Sequence, residues 1–398
     1  MQKALRHAVG QKRRSKMSIE YKRNFEDRLN MLHDVVRYKH TDRVPHFSNF
    51  FTWKILDSDL KPKLSEALAD YGMLDRIQCE FQERYGFDVH YDLLARNLLK
   101  PSSILGGHHH LINDEAESIN FFDHTLMEDN EYPDYKDKRW EVTWRMFIRK
   151  YPELTQGTMA EAIALNAENA AYNPWMFKKF REEYGCPQCY GFISQVPYER
   201  FHKYYRGIKA GSMDLRRRKN ELLDTFAALQ EEEVIPGTKA GLANDTSLCM
   251  IDLMIPMLAH TMMNGKQWET FYWPYLKEIL DTALAAGKTV MIYLENSLIR
   301  FKDYFENYPK GFLTVVPELD PVTDLREALP NITIVGGITS DLLGQGTPEE
   351  CVAEAKRVIE AMGDGFMLGQ NKMMSFRNDC KRENLLAVSE FVQNFRWE

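Results

Sequence analysis

From residue 289 onward, short apolar or β-branched runs alternate with amphipathic stretches. Thr289–Leu294, Phe312–Val316, Ile332–Val335 and Phe366–Leu368 read as strands, and Arg300–Asn307, Thr323–Leu329 and Pro348–Met362 read as helices between them. A strand, a returning helix and another strand is the pattern of parallel β/α units. Gly237–Leu242 reads as a further strand at the head of this series. The clearest local signals belong to the helix at 348–362. Thr347 supplies an N-cap, Pro348 a first-turn proline and Glu350 the glutamate of a capping box. Val352, Ala355, Val358, Ile359 and Met362 share one face, and Gly363 stops the helix. A second helix is predicted over Pro274–Ala286, where Tyr275, Leu276, Ile279, Leu280 and Leu284 recur at helical spacing before Gly287. Pro274 starts or kinks it.

The first half is less regular. A helix over Asn24–Arg37, a strand at Val44–Asn49 and one or two helices over Lys63–Tyr85 are predicted. From Gly106 to Tyr135 the periodicity dissolves into a polar, Asp- and Asn-rich stretch, read as a long insertion. No internal repeat or low-complexity linker divides the chain, so residues 21–398 are expected to form one α/β domain with N-terminal helices, and residues 1–20 a disordered basic tail.

Composition narrows the function classes. With 51 Lys+Arg against 58 Asp+Glu the formal charge is −7, which argues against nucleic acid as a partner. The 44% hydrophobic and 12% aromatic residues suffice for a large core, and no run of 18 apolar residues suggests a membrane span. Six scattered cysteines do not make a disulfide framework and, with 19 methionines, point to a reducing compartment, the cytoplasm.

Candidate chemistry collects at the predicted strand ends, because the C-terminal face of a parallel β/α barrel carries its active site. His46, Ser48 and Asn49 lie at the first strand. Tyr293 and Glu295 leave the strand at 289–294, Glu318 and Asp320 follow 312–316, Gly336 and Gly337 end the next, and Gln370, Asn371 and Lys372 follow the last. Asp320 stands before Pro321 and a helix, so it either joins the pocket or caps that helix. Glu295 ends an apolar strand, where a glutamate can donate a proton, bind metal or accept a hydrogen bond. His108, His109 and His110 raise a metal reading, but adjacent histidines in a loop do not readily face one ion, and a solvated loop is the blander alternative. Cys186 and Cys189 have the spacing of a zinc knuckle or dithiol without a second pair. The run Arg216–Lys219 is read as a solvated helix face or a contact for anionic carboxylates or an acidic partner. No GxGxxG, P-loop or GxSxG motif is present.

The order of several further pieces resembles the uroporphyrinogen decarboxylase superfamily. They are Phe25-Glu-Asp-Arg-Leu, Arg43-Val-Pro, Tyr204-Tyr-Arg-Gly, Met213-Asp-Leu-Arg-Arg-Arg, Phe271-Tyr-Trp-Pro, Gly287, the strand to Glu295, Pro309-Lys-Gly, Leu319-Asp320, Gly336-Gly337, Gly346-Thr-Pro-Glu-Glu and Glu383-Asn-Leu. The resemblance implies a (β/α)8 TIM-type barrel with its pocket at the strand C-termini and the 106–135 insertion over the barrel mouth. It implies one of three roles: a cobamide-dependent methyltransferase, a decarboxylase of a tetrapyrrole or related acid, or a non-catalytic corrinoid or tetrapyrrole carrier. Zinc-dependent methyltransferases of the superfamily place a His-x-Cys pair where this chain has Tyr293-Leu-Glu295, and a cysteine after the last strand where it has Gly369-Gln-Asn-Lys372. The resemblance therefore implies no catalytic zinc. Its decarboxylases hold substrate carboxylates with an arginine-rich segment where this chain has His46-Phe-Ser-Asn-Phe-Phe; Asp320 and Arg216–Arg218 are the nearest stand-ins. For the methyltransferase branch, the implied methyl donor is a corrinoid, on a corrinoid protein or as free cobamide, and the acceptor a small molecule such as tetrahydrofolate. A homodimer is compatible with it. Catalytic roles then fall to Glu295, Asp320 and His46, with a protonated Glu295 delivering the proton. Binding roles fall to Asn49, Tyr293, Glu318, Gly336, Gly337, Gln370 and Asn371.

Overall fold

The computed structural model describes residues 24–91 and 99–397; the basic tail read over 1–20 lies outside them. A hairpin of β1 (His110–Asn113) and β2 (Ser118–Phe121) stands apart from a parallel sheet whose strands follow in chain order. These are β3 (Gln188–Ile193), β4 (Cys249–Met257), β5 (Val290–Leu294), β6 (Leu313–Val316), β7 (Thr333–Ile338) and β8 (Phe366–Gln370). Two extended segments join the sheet's outer strands. Phe47 N–H donates to the Leu368 carbonyl (2.8 Å) and Leu368 N–H to the Pro45 carbonyl (3.0 Å), which docks residues 44–50 on β8. Asp88 N–H then donates to the His46 carbonyl (3.0 Å), and Cys189 N–H to the His90 carbonyl (3.0 Å), which reaches β3. Six strands and two segments thus form the eight staves of a β/α barrel.

Side-chain alternation separates its two layers. Phe47, Val89, Cys189, Met250, Met254, Met291, Val335 and Met367 pack in one cluster inside the barrel. Their strand neighbours Leu253, Ile255, Ile292, Val315, Ile334 and Leu368 pack outward against the helices. A helix over 24–36 plugs the floor: Leu32, Val35 and Val36 join the interior cluster, and Thr333 Oγ1 donates to the Val35 and Val36 carbonyls at 3.2 and 3.1 Å. Arg43 and Arg28 flank the buried Asp88 there, Arg43 through a two-pronged contact at 2.8 and 2.6 Å.

The predicted helices at 274–286, 323–329 and 348–362 appear as Trp273–Ala285, Val322–Ala328 and Pro348–Met362. Arg300–Asn307 is a 3-10 helix over Ile299–Tyr304. The strand predicted at Gly237–Leu242 is a correction: those residues belong to the helix Ile235–Leu242, which continues from the π-helical turn Gln230–Val234 and carries Pro236 in its first turn. Its small residues serve packing, since a Cβ on Gly241 would lie 2.4 Å from the Phe192 ring of β3.

Candidate functional site

Four strands deliver polar groups to the barrel mouth. After β5, Glu295 opens to solvent, yet the concave surround desolvates its carboxyl and the nearby Glu318 repels its charge, so its pKa is raised. Lys203 acts in the opposite direction. Asn296, at φ 67°, turns the chain sharply after Glu295, and its N–H donates to Glu318 Oε2 at 2.8 Å. Asn371, after β8, donates from Nδ2 to the Glu318 carbonyl (3.3 Å) and accepts from Ser340 N–H (3.1 Å), so it ties the ends of β6, β7 and β8 together. From below, Tyr91, Tyr190 and Tyr293 form an aromatic floor, with ring centroids 6.1 and 6.2 Å from Tyr91.

Sequence reasoning missed two members. Glu199, on the short helix Pro197–Arg200 after β3, is buried and accepts from Leu258 N–H (2.8 Å), Ala259 N–H (2.9 Å) and the Tyr272 hydroxyl (2.6 Å). Burial dominates those three donors, and Glu295 adds repulsion, so its pKa is pushed up to about 7. Lys203 lies one turn further on, in the π-helical turn Phe201–Tyr205. Recognising β3 would have found both, since they follow its C-terminal end.

Beside this mouth is a cavity of about 530 Å³, bounded by Phe51 and Met373, which follow the first and last staves, and by the hairpin residues His110 and Ile119. Lys150, Lys203 and His109 also line it. The insertion predicted from 106 to 135 therefore does reach over the mouth.

Other predicted residues lie elsewhere. His46 is fully buried, its ring 4.2 Å from that of Phe87 in the layer between barrel and helices, and burial pushes its pKa down to about 4. It does not meet Glu295. Ser48 is buried on the same outward side of its stave. Asp320 takes the capping alternative: its Oδ2 accepts from Leu298 N–H (2.6 Å) and Ile299 N–H (3.2 Å) at the start of the 3-10 helix. Asn49 and Gln370 pair with each other, Asn49 N–H donating to Gln370 Oε1 at 2.8 Å. Gly336 and Gly337 permit close helix packing; a Cβ on Gly337 would lie 2.7 Å from Val358. Lys372 pairs with Asp379 at 2.9 Å. Arg218 is held by Asp129 and Glu221, so the decarboxylase stand-ins Asp320 and Arg218 are both committed to partners within the protein.

The knuckle reading of Cys186 and Cys189 is not realised. Cys186 packs beneath the helix Gln156–Tyr184, whereas Cys189 points into the barrel toward Met291. Burial pushes both thiols up, Cys186 to about 12. Among the described residues, no three His, Cys, Asp or Glu side chains are placed to hold a metal ion. Nor is any described helix long and apolar enough to cross a membrane.

Residues 246–392 match the family model described as uroporphyrinogen decarboxylase (URO-D). A solved structure of a methyltransferase from Methanosarcina mazei is similar over 91% of this chain and 97% of that one, with a TM-score of 0.59 at 13% identity. At that identity the likeness carries the barrel fold. No curated protein matches the chain.

Proposed function

From the match of residues 246–392 to the uroporphyrinogen decarboxylase family model, we propose that this chain is a methyltransferase-like enzyme that moves a methyl group from a corrinoid to a small nitrogen acceptor such as tetrahydrofolate. The methyl donor is a co-substrate, as free cobamide or on a corrinoid protein. The similarity to a methyltransferase barrel supports this reading. So does the absence of a His-x-Cys pair where Tyr293 and Glu295 stand.

The observation that carries it is Glu295, which follows β5 at the mouth with Glu318 held beside it by the Asn296 N–H, and whose pKa is raised. Transfer onto an N–H acceptor forms a C–N bond with the nitrogen lone pair, leaves the cobalt–carbon pair on the corrinoid and releases the proton of the N–H. Glu295 as carboxylate accepts that proton; as the acid it returns it when transfer runs from the N-methyl compound to the corrinoid. This reverses the direction of delivery expected from the sequence, because the proton leaves the acceptor as the methyl arrives. A carboxyl whose pKa is raised toward the working pH serves both directions.

The test is anaerobic incubation with methylcobalamin and tetrahydrofolate, following the corrinoid spectrum. Wild-type protein should demethylate the corrinoid, and Glu295→Gln should lower kcat about 10²- to 10⁴-fold. Methylcobalamin left intact with tetrahydrofolate and with thiols would sink the reading.

A further inference from the structure

The cavity between the hairpin and the mouth has one polar pole. Lys150 and Lys203 set their ammonium groups 5.9 and 5.5 Å from the Tyr204 ring centroid. Among the described residues, neither ammonium has a carboxylate within ion-pair distance. His109 completes the pole: it is only 4% exposed, lines the cavity, and neither ring nitrogen has a protein partner. Burial and the neighbouring lysines push its pKa down to about 3 and that of His110 to about 4, so both imidazoles are neutral near pH 7 and each has one N–H to donate. A buried imidazole with two unmet nitrogens costs stability unless something enters to meet them. Most of the remaining wall is apolar, including Phe51, Leu105, Phe147, Met159 and Met373, with Ser102 and Asn166 as its polar members.

We propose that this cavity is a binding site for an organic acid with a flat apolar body, whose anionic head, carboxylate or phosphate, lies between Lys150 and Lys203 within reach of the His109 imidazole. Two cations without a carboxylate partner among the described residues, together with neutral N–H donors, select an anion over a cation. The aromatic and aliphatic wall selects a ring system over a small inorganic ion, and about 530 Å³ lies in the range of small-molecule sites. The site shares Lys203 with the mouth, where it also acts on Glu295, but it is tested by binding alone, so its failure is distinguishable from failure of the proposed reaction.

The test uses the full chain and three fluorescent probes of one shape: 2-naphthoate, 2-naphthyl phosphate and the neutral 2-naphthamide. At least one anion should bind saturably at one per chain, at least tenfold more tightly than the amide; the tighter of the two identifies the head group. Lys203→Met and Lys150→Met should each weaken the anion about tenfold and leave the amide unchanged, while Lys203→Arg retains most of the affinity. Circular dichroism confirms that the variants fold. His109→Phe, which keeps the ring and removes both nitrogens, should weaken the anion without lowering the unfolding temperature, because it also removes two unmet buried groups. Equal affinity for acid and amide, no saturable binding of either anion, or anion binding indifferent to both lysine substitutions would each overturn the proposal.

Discussion

Glu318 Oε2 accepts a 2.8 Å hydrogen bond from the main-chain N–H of Asn296, the residue that follows Glu295. The turn that ends β5 thereby holds a second carboxylate where it raises the pKa of Glu295, after burial the largest influence on it. Glu318→Gln keeps an acceptor for Asn296 and removes the charge. The Glu295 pKa should then fall. Transfer onto nitrogen needs the Glu295 carboxylate, so its rate rises with pH through that pKa, and the acid limb of the pH–rate profile should move to lower pH in the variant. A limb that stays in place, or moves upward, excludes this coupling.

Glu199 gives a stability signature. Its pKa is raised to about 7 from an ordinary glutamate value, so the folded chain holds a proton that the unfolded chain has released between roughly pH 4.5 and 7. Its contribution is fully present below the unfolded pKa and is lost as pH rises through about 7. The loss is on the order of 3 kcal/mol. Glu199→Gln keeps the oxygen that accepts from Leu258, Ala259 and Tyr272 and cannot ionise. Thermal unfolding from pH 5 to 8 should show the wild type losing stability relative to the variant as pH rises. Parallel curves would mean that Glu199 ionises normally.

Much of this architecture was legible because β5 to β8 are short apolar runs separated by helices with clear caps, so period and punctuation agree. The earlier staves gave no such agreement. Of these only Val44–Asn49 was predicted as a strand; β3 contains Gly191, and Cys249–Met257 mixes methionines with Pro256. Missing β3 and β4 cost the reading of Glu199 and Lys203. Gly237–Leu242 misled because a short glycine-containing apolar run has no decisive period. Glu295 and Glu318 were found because their strands were found. The failures of His46 and Asp320 to join them are tertiary facts, decided by the outward pleat of one stave and the capping needs of a neighbouring turn.

The glycine pair of β7 was read as part of the pocket, and its geometry yields a different expectation. Gly337 has φ 106°, and a Cβ there would lie 2.7 Å from Val358 Cγ1. Gly337→Ala should therefore cost about 1–3 kcal/mol through backbone strain and overpacking against the helix Pro348–Met362. Because part of the clash is with one methyl group, Val358→Ala should recover part of the loss. Denaturant unfolding of both single variants and the double variant measures that coupling, expected at about 0.5 kcal/mol or more. A strictly additive cycle would place the cost elsewhere.

The two cysteines three residues apart make the last expectation. A zinc ligand must be a thiolate, and paired ligands must face one point. Cys186 and Cys189 lie in different apolar clusters on opposite sides of one stave, and burial holds both thiols protonated, Cys186 up to about 12. Protein purified without an affinity tag should hold well under one zinc per chain, and Cys186→Ser should leave the metal content unchanged. Native protein should also react slowly with a thiol-titrating disulfide at these positions and quickly once unfolded, because access and ionisation are both lacking in the folded state. About one zinc per chain that Cys186→Ser abolishes would restore the knuckle. Zinc abolished instead by Glu295→Gln would place a metal at the barrel mouth and reopen thiol methylation.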